Sequence, residues 1–258
     1  MVSGRRVPAG HERGAQGTEL TILEGVPHSW NAQWISFGED PRDDFGAFVF
    51  RREFESDGLP INVRVSADQR YRLSLNDEFV GEGPARGDLA HWPFETYTLR
   101  PQPGPNRLEA LVWSFGRYAP MAQMTYRLAF VLDGNGLSTP DSWQDGRVEG
   151  REFKMLNSEI GPFYIDVGPG EIIDLDNLKP ASWSVPNVIS HALERGEWHS
   201  DSPWRLVPRS IPAMVRHIRE TGPAIVDRVS GLRRAFEPFT LTPGQPALLD
   251  FGELLCGY

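Results

Sequence analysis

With 258 residues and a net charge of -9 (26 Lys and Arg against 35 Asp and Glu), the chain is long enough to bury roughly 70–75% of its unfolded surface without metals or disulfides. Its charge has the wrong sign for general nucleic-acid affinity, which rests on Lys and Arg. One cysteine, Cys256, excludes an intramolecular disulfide framework, and dispersed proline and glycine (22 and 26) make long helices unexpected in a chain that also carries 8 tryptophans.

Residues 1–28 are polar, Gly-rich and aperiodic and read as a flexible tail. Arg5, Arg6 and Arg13 precede no apolar stretch, so a secretory signal is not indicated. No run of about 18 apolar residues suggests a membrane span, and a cytoplasmic protein is expected. Order begins with the cluster Trp30, Trp34, Ile35 and Phe37, and after the acidic stretch Glu39 to Asp44 a strand is predicted over Ala47 to Phe54. Ile61, Val63 and Val65 then alternate with Asn62, Arg64 and Ser66, and after Ala67-Asp68-Gln69-Arg70 the alternation resumes at Tyr71, Leu73 and Leu75. Period two marks strands with one face buried. Asn76-Asp77 tolerates the positive φ of a tight hairpin turn before Phe79-Val80.

A long loop, Gly81 to Pro93, separates this meander from strands predicted at Phe94 to Leu99, Leu108 to Phe115 and Gln123 to Leu132, and short strands continue from Trp143 to Ile173. Short strands divided by turn residues, without helical period between them, indicate a sandwich or jelly roll. Residues 174–230 are irregular and Pro-punctuated, with one short helix expected near Asn187 to Glu194, and Leu232 to Phe239 with Ala247 to Leu255 read as the opening strands of another β unit. Four regions are expected: a tail over 1–28, an antiparallel sandwich over 29–175, a Pro-rich connector over 176–230 packing on it, and over 231–258 the start of a second, truncated sandwich. Strands at the end of the chain without partners suggest a fragment.

Glycoside cleavage requires two carboxyl groups, and no spacing among Asp88, Glu95, Asp166, Glu171 and Asp174 singles out a pair. The six histidines (His11, His28, His91, His191, His199 and His217) never fall at a metal-ligand spacing. The acidic clusters Glu39 to Asp44 and Asp174 to Asn177 offer oxygens suited to calcium but lack an EF-hand signature, so no cofactor is indicated, calcium being possible without a supporting motif. No G-x-S-x-G or G-x-G-x-x-G element is present, and no catalytic residue is assigned. A sugar site joins an aromatic platform to polar side chains. The loop holding Arg86, Asp88, His91 and Trp92 has that composition, and Arg117 and Tyr118 in the next long loop are candidates to converge on it. Three readings stay open: a carbohydrate contact, a brace in which Trp92 plugs the sandwich edge, and a docking loop for a neighbouring domain. Trp34 and Trp113, inside apolar strands, are expected in the core.

Ser66-Ala67-Asp68-Gln69-Arg70-Tyr71-Arg72-Leu73-Ser74-Leu75-Asn76-Asp77-Glu78, followed by Gly83-Pro84-Ala85-Arg86, resembles the N-terminal sandwich of glycoside hydrolase family 78, with Asp77 where that pattern has a turn glycine. Pro103 to Asn106 with Leu108 to Gly116, the connector Trp204-Arg205-Leu206-Val207-Pro208-Arg209-Ser210-Ile211-Pro212, and Asp250-Phe251-Gly252-Glu253 are similar to further motifs of that family in the same order. The resemblance implies an all-β, galactose-binding-like jelly roll from the front of an inverting α-L-rhamnosidase. The acid and base of such an enzyme lie on a downstream (α/α)-barrel. It also implies partners in the remaining domains of the parent chain and in rhamnose-containing glycans. A self-sufficient lectin-like module and a purely structural spacer are the alternatives.

Overall fold

The computed structural model describes residues 30–38, 46–116, 119, 123–154, 170–180, 182–197 and 201–213, with the short strands 224–226, 233–234 and 248–250. The chain divides into two units at Ile211 and Pro212. No α-helix occurs among the described residues; a 3-10 turn, Leu175–Asn177, is capped by the Asp174 carboxylate, which accepts from the Asp176 amide at 3.1 Å.

The first unit is an antiparallel β-sandwich. The expected apolar cluster contributes β1 (Gln33–Ser36), and strands β2 (Gly46–Asp57), β3 (Ile61–Asp68), β4 (Arg70–Leu75), β5 (Glu78–Gly83), β6 (Trp92–Leu99) and β7 (Pro103–Ser114) follow in the expected order, β7 starting within the stretch expected as a turn. The predicted strand Gln123 to Leu132 starts later, as β8 (Ala129–Gly134), and is followed by β9 (Gln144–Arg147), β10 (Arg151–Lys154) and β11 (Gly170–Ile173). Asn76 and Asp77 have φ values of 51° and 68°, the left-handed pair that a two-residue hairpin needs. One sheet runs β5-β4-β7-β2-β9. Between it and the larger sheet lies a core of Phe48, Phe50, Val63, Val65, Tyr71, Leu73, Leu108, Val112, Phe130 and their neighbours.

The larger sheet incorporates the connector. The β-branched Val188 and Ile189 lie in β12 (Asn187–His191), with Val188 opposite Ile35 of β1 and the register shifting at Ile189, rather than in the expected short helix. Tertiary pairing overrides a weak helical preference there. Strands β13 (Leu193–Glu194) and β14 (Arg205–Pro208) follow, and β14 runs parallel to β6 with Leu206 opposite Trp92. The region expected to be irregular thus supplies three strands to this sheet, and the sandwich unit extends well past residue 175, to Ile211.

The strand order in this sheet is β12-β1-β8-β3-β6-β14-β13. Its two outermost strands are separated in the chain only by Ala192. Residues two apart lie within about 7 Å of each other, so the facing ends of these two strands are close, and the Ala192 amide between them donates to the Ala32 carbonyl at 3.1 Å. Trp30, Trp34, Trp92, Phe94, Ala129, Val131, Ala192, Trp204 and Leu206 form a second core against the other face of the sheet.

The second unit contains β15 (Ala224–Val226), flanked antiparallel by β16 (Arg233–Arg234) and β17 (Leu248–Asp250). The expected opening strands of a second β unit, β16 and β17, thus both pair with β15, which falls in the stretch expected as connector.

Candidate binding loop and the connector anchors

The loop from Pro84 to His91 is shaped by its own side chains. Asp88 accepts from the amides of Ala90 (2.8 Å) and His91 (2.9 Å) and lies 3.1 Å from the His91 Nδ1. The His91 contact holds the Asp88 carboxyl below its ordinary range. Arg86, Asp88 and His91 are exposed. Trp92 is not: it is 2% exposed, packs in the second core, and its indole N–H donates to the Ala67 carbonyl at 3.3 Å. The loop therefore presents a polar rim, with its aromatic residue turned inward as a plug. Arg117 and Tyr118 lie outside the described residues.

Beneath this loop runs a buried polar chain. Glu95, on β6 and facing the main core, accepts from the Tyr71 hydroxyl at 2.9 Å, from the Ala85 amide at 3.0 Å and from Arg209 Nη1 at 3.1 Å. Tyr71 and Tyr97 share a further hydrogen bond of 3.0 Å. Burial raises the Glu95 carboxyl, opposed by the Tyr71 hydrogen bond, the Ala85 amide and Arg209. Desolvation together with the Glu95 charge also raises the Tyr71 phenol. Glycine is required on the strand above: a Cβ at Gly83 would sit 2.2 Å from the Glu95 carboxylate, and one at Gly81 would sit 2.2 Å from the Tyr97 ring.

A second anchor is Asp68. Its carboxylate accepts from Trp204 Nε1 (3.0 Å), Thr125 Oγ1 (2.5 Å), the Tyr126 amide (2.7 Å) and the Arg127 amide (3.3 Å). Desolvation outweighs these donors and lifts its pKa to about 6. A third is Arg64, which bridges Asp133 at 2.5 Å and Glu194 at 2.8 Å and lies 4.4 Å over the Trp30 ring. Each anchor ties a polar residue of β3 or β6 to the connector. Trp204 stacks on Trp34 with ring centroids 4.3 Å apart. Burying an indole removes ~150–250 Å² from water, a gross gain of about 4–6 kcal/mol before ordering costs.

Of the acids considered from sequence, Asp88 serves the loop, Glu95 serves the buried chain and Asp174 caps a turn. Asp166 and the Glu171 side chain lie outside the described residues. Among the described residues no group of three or more His, Cys, Asp or Glu converges as a metal site. Trp113 is partly exposed, unlike Trp34, because it falls on the opposite face of β7 from the buried Leu108, Ala110 and Val112. The anchoring roles of Asp68, Glu95 with Arg209, and Trp204 were missed from sequence. Asp68 falls in the stretch Ala67 to Arg70 expected as a turn, and only knowledge of what packs over it identifies it as an anchor.

No family model matches the chain, and no curated protein is similar to it in sequence. Solved structures do match. A glycoside hydrolase family 78 rhamnosidase from Bacillus sp. GL1 superposes with a TM-score of 0.59 at 25% identity, over 77% of this chain and 22% of that one. The α-L-rhamnosidases from Dictyoglumus thermophilum (TM-score 0.50, 15% identity, 71% of this chain and 22% of that one) and Aspergillus terreus (0.51, 18%, 79% and 25%) share the fold. The chain thus spans about a quarter or less of the length of these relatives. The similarity to family 78 rhamnosidases read from the motifs is matched by three-dimensional structure.

Proposed function

We propose that this chain is a non-catalytic accessory region from the N-terminal part of a larger α-L-rhamnosidase-like hydrolase, serving to scaffold a catalytic portion carried elsewhere on the parent. The observation that carries this reading is the asymmetry of the match: 77% of this chain against 22% of a family 78 rhamnosidase, leaving most of the relative unaccounted for by this fold. The chemistry of the described acids supports it. Asp68 and Glu95 are consumed by structural donors, and Asp88 and Asp174 by local turns. Inverting glycosidases hold an acid and a base roughly 6.5–9.5 Å apart with room for water between them.

For the loop, the exposed rim of Arg86, Asp88 and His91 favours contact with a polar neighbouring surface over stacking on a sugar ring, since Trp92 offers no face to solvent. The test uses the purified chain and nitrophenyl α-L-rhamnoside, with L-rhamnose titrated separately by calorimetry. The reading expects no turnover and at most weak sugar binding. Steady hydrolysis by this chain would overturn it, and saturable binding of L-rhamnose lost in Arg86→Ala and Asp88→Ala would favour the lectin-like alternative.

A further inference from the structure

Within that scaffold role, the point where the chain leaves the sandwich is held by a specific device. Strand β14 ends at Pro208, opposite Phe94, and the amide of Arg209 extends the ladder by donating to the Phe94 carbonyl at 3.0 Å. The Arg209 side chain then folds back. Its Nη1 binds the Glu95 carboxylate at 3.1 Å, and its Nε donates to the carbonyl of Ile211 at 2.9 Å. Ile211 is the last residue of the sandwich unit.

We propose that Arg209 is an exit clamp: its guanidinium, seated on the buried Glu95 carboxylate, grips the Ile211 carbonyl and fixes the direction in which the chain leaves the sandwich. Three features carry this. The guanidinium is a planar, permanently charged fork, so orienting one edge on Glu95 orients the other. Glu95 has little freedom to move, since Tyr71 and the Ala85 amide hold its oxygens and Gly83 leaves no spare volume beside it. The pair is also nearly enclosed, with side chains 10% and 6% exposed, so solvent does not compete for the contact as it would on a surface ion pair. Pro208 and Pro212 fix φ on both sides of the clamped turn and limit the alternatives open to it. Ile211 itself is 54% exposed, so its side chain does not do the holding.

The test reads mobility at the exit directly. In the full 258-residue chain, Cys256→Ser removes the native thiol and Ile211→Cys carries a nitroxide label. The clamp predicts an immobilised electron spin resonance spectrum in this parent. Arg209→Lys keeps the charge but cannot hold Glu95 and Ile211 from one rigid plane, and it is expected to shorten the label's correlation time by about twofold or more. Glu95→Gln with Arg209→Met removes both charges and leaves no unpaired ion in the core, and it should free the label in the same way. A label already fast in the parent overturns the proposal whatever the variants do. So does an immobile label in a folded variant of either kind. No sugar or hydrolysis assay enters, so failure of the clamp and failure of the scaffold role are read separately.

Discussion

The indole N–H of Trp204 donates to the carboxylate of Asp68 at 3.0 Å, across 136 positions of sequence. This bond joins the connector to the corner between β3 and β4, at a place where the carboxylate also receives Thr125 and two backbone amides. Asp68 is fully buried, and its environment has a consequence for stability.

Burial lifts the Asp68 pKa from 3.8 to about 6. The folded chain therefore binds this proton more tightly than the unfolded chain, and stability falls as pH rises through the interval between the two values. At about 1.4 kcal/mol per pH unit, the loss attributable to Asp68 between pH 4 and pH 7 is about 2 kcal/mol. Asp68→Asn removes the titration. Urea unfolding of both proteins at pH 4, 5, 6 and 7 should show the native chain losing its advantage over the variant as pH rises. A constant difference across that range would refute the assignment.

Gly83→Ala should be poorly tolerated although no positive φ is involved. The added methyl would lie 2.2 Å from the Glu95 carboxylate, which is itself fixed by three donors. Overpacking of this kind costs about 1–3 kcal/mol, and more where the neighbour cannot move. A melting point within a degree or so of the native value would count against the packing described.

Trp92→Ala should behave as a core truncation, losing about 3–5 kcal/mol of stability. Arg86→Ala, six residues earlier and exposed, should fall within about 0.5 kcal/mol of the native chain. Chemical denaturation of the two variants side by side decides whether the aromatic residue of this loop is plug or platform.

Ser190 sits opposite Trp34 in the β1–β12 pair, and among the described residues neither the buried Ser190 hydroxyl nor the buried Trp34 indole N–H has a hydrogen-bond partner. Removing an unpaired buried hydroxyl relieves its desolvation penalty, so Ser190→Ala should be neutral or stabilising by up to about 1 kcal/mol. A clear loss of stability would mean that an ordered water bridges the two groups.

Much of the sandwich was legible because period two survives in β3, β4 and β7, where Val63, Val65, Tyr71, Leu73, Leu108, Ala110 and Val112 all point into one core. The turn at Asn76-Asp77 was equally plain, since few residue pairs accept left-handed backbone at both positions. The loop expected over Gly81 to Pro93 is shorter, Pro84 to His91, with Trp92 opening β6, and its chemistry was not legible. The aromatic and polar residues that suggest a sugar platform face opposite ways, and composition carries no direction. The connector was misread in part, because residues 187–194 show neither clean alternation nor strong helical period and take their strands from pairing with β1 and β14.

What the sequence determined by itself was the existence, order and inward face of the meander strands, since those follow from local alternation and turn chemistry. Only the tertiary structure decided what happens to their other face. Arg64 and Ser66 read as the outer side of β3 and Asp68 as part of a turn, yet Ser66 and Asp68 are fully buried and Arg64 is bound to Asp133 and Glu194. The cause is a downstream segment whose strands take both margins of the same sheet and whose Trp204 bonds Asp68 across 136 positions. A polar residue in an alternating strand reports only that it avoids the first core. Whether water or a second core lies beyond it depends on contacts that no local pattern encodes.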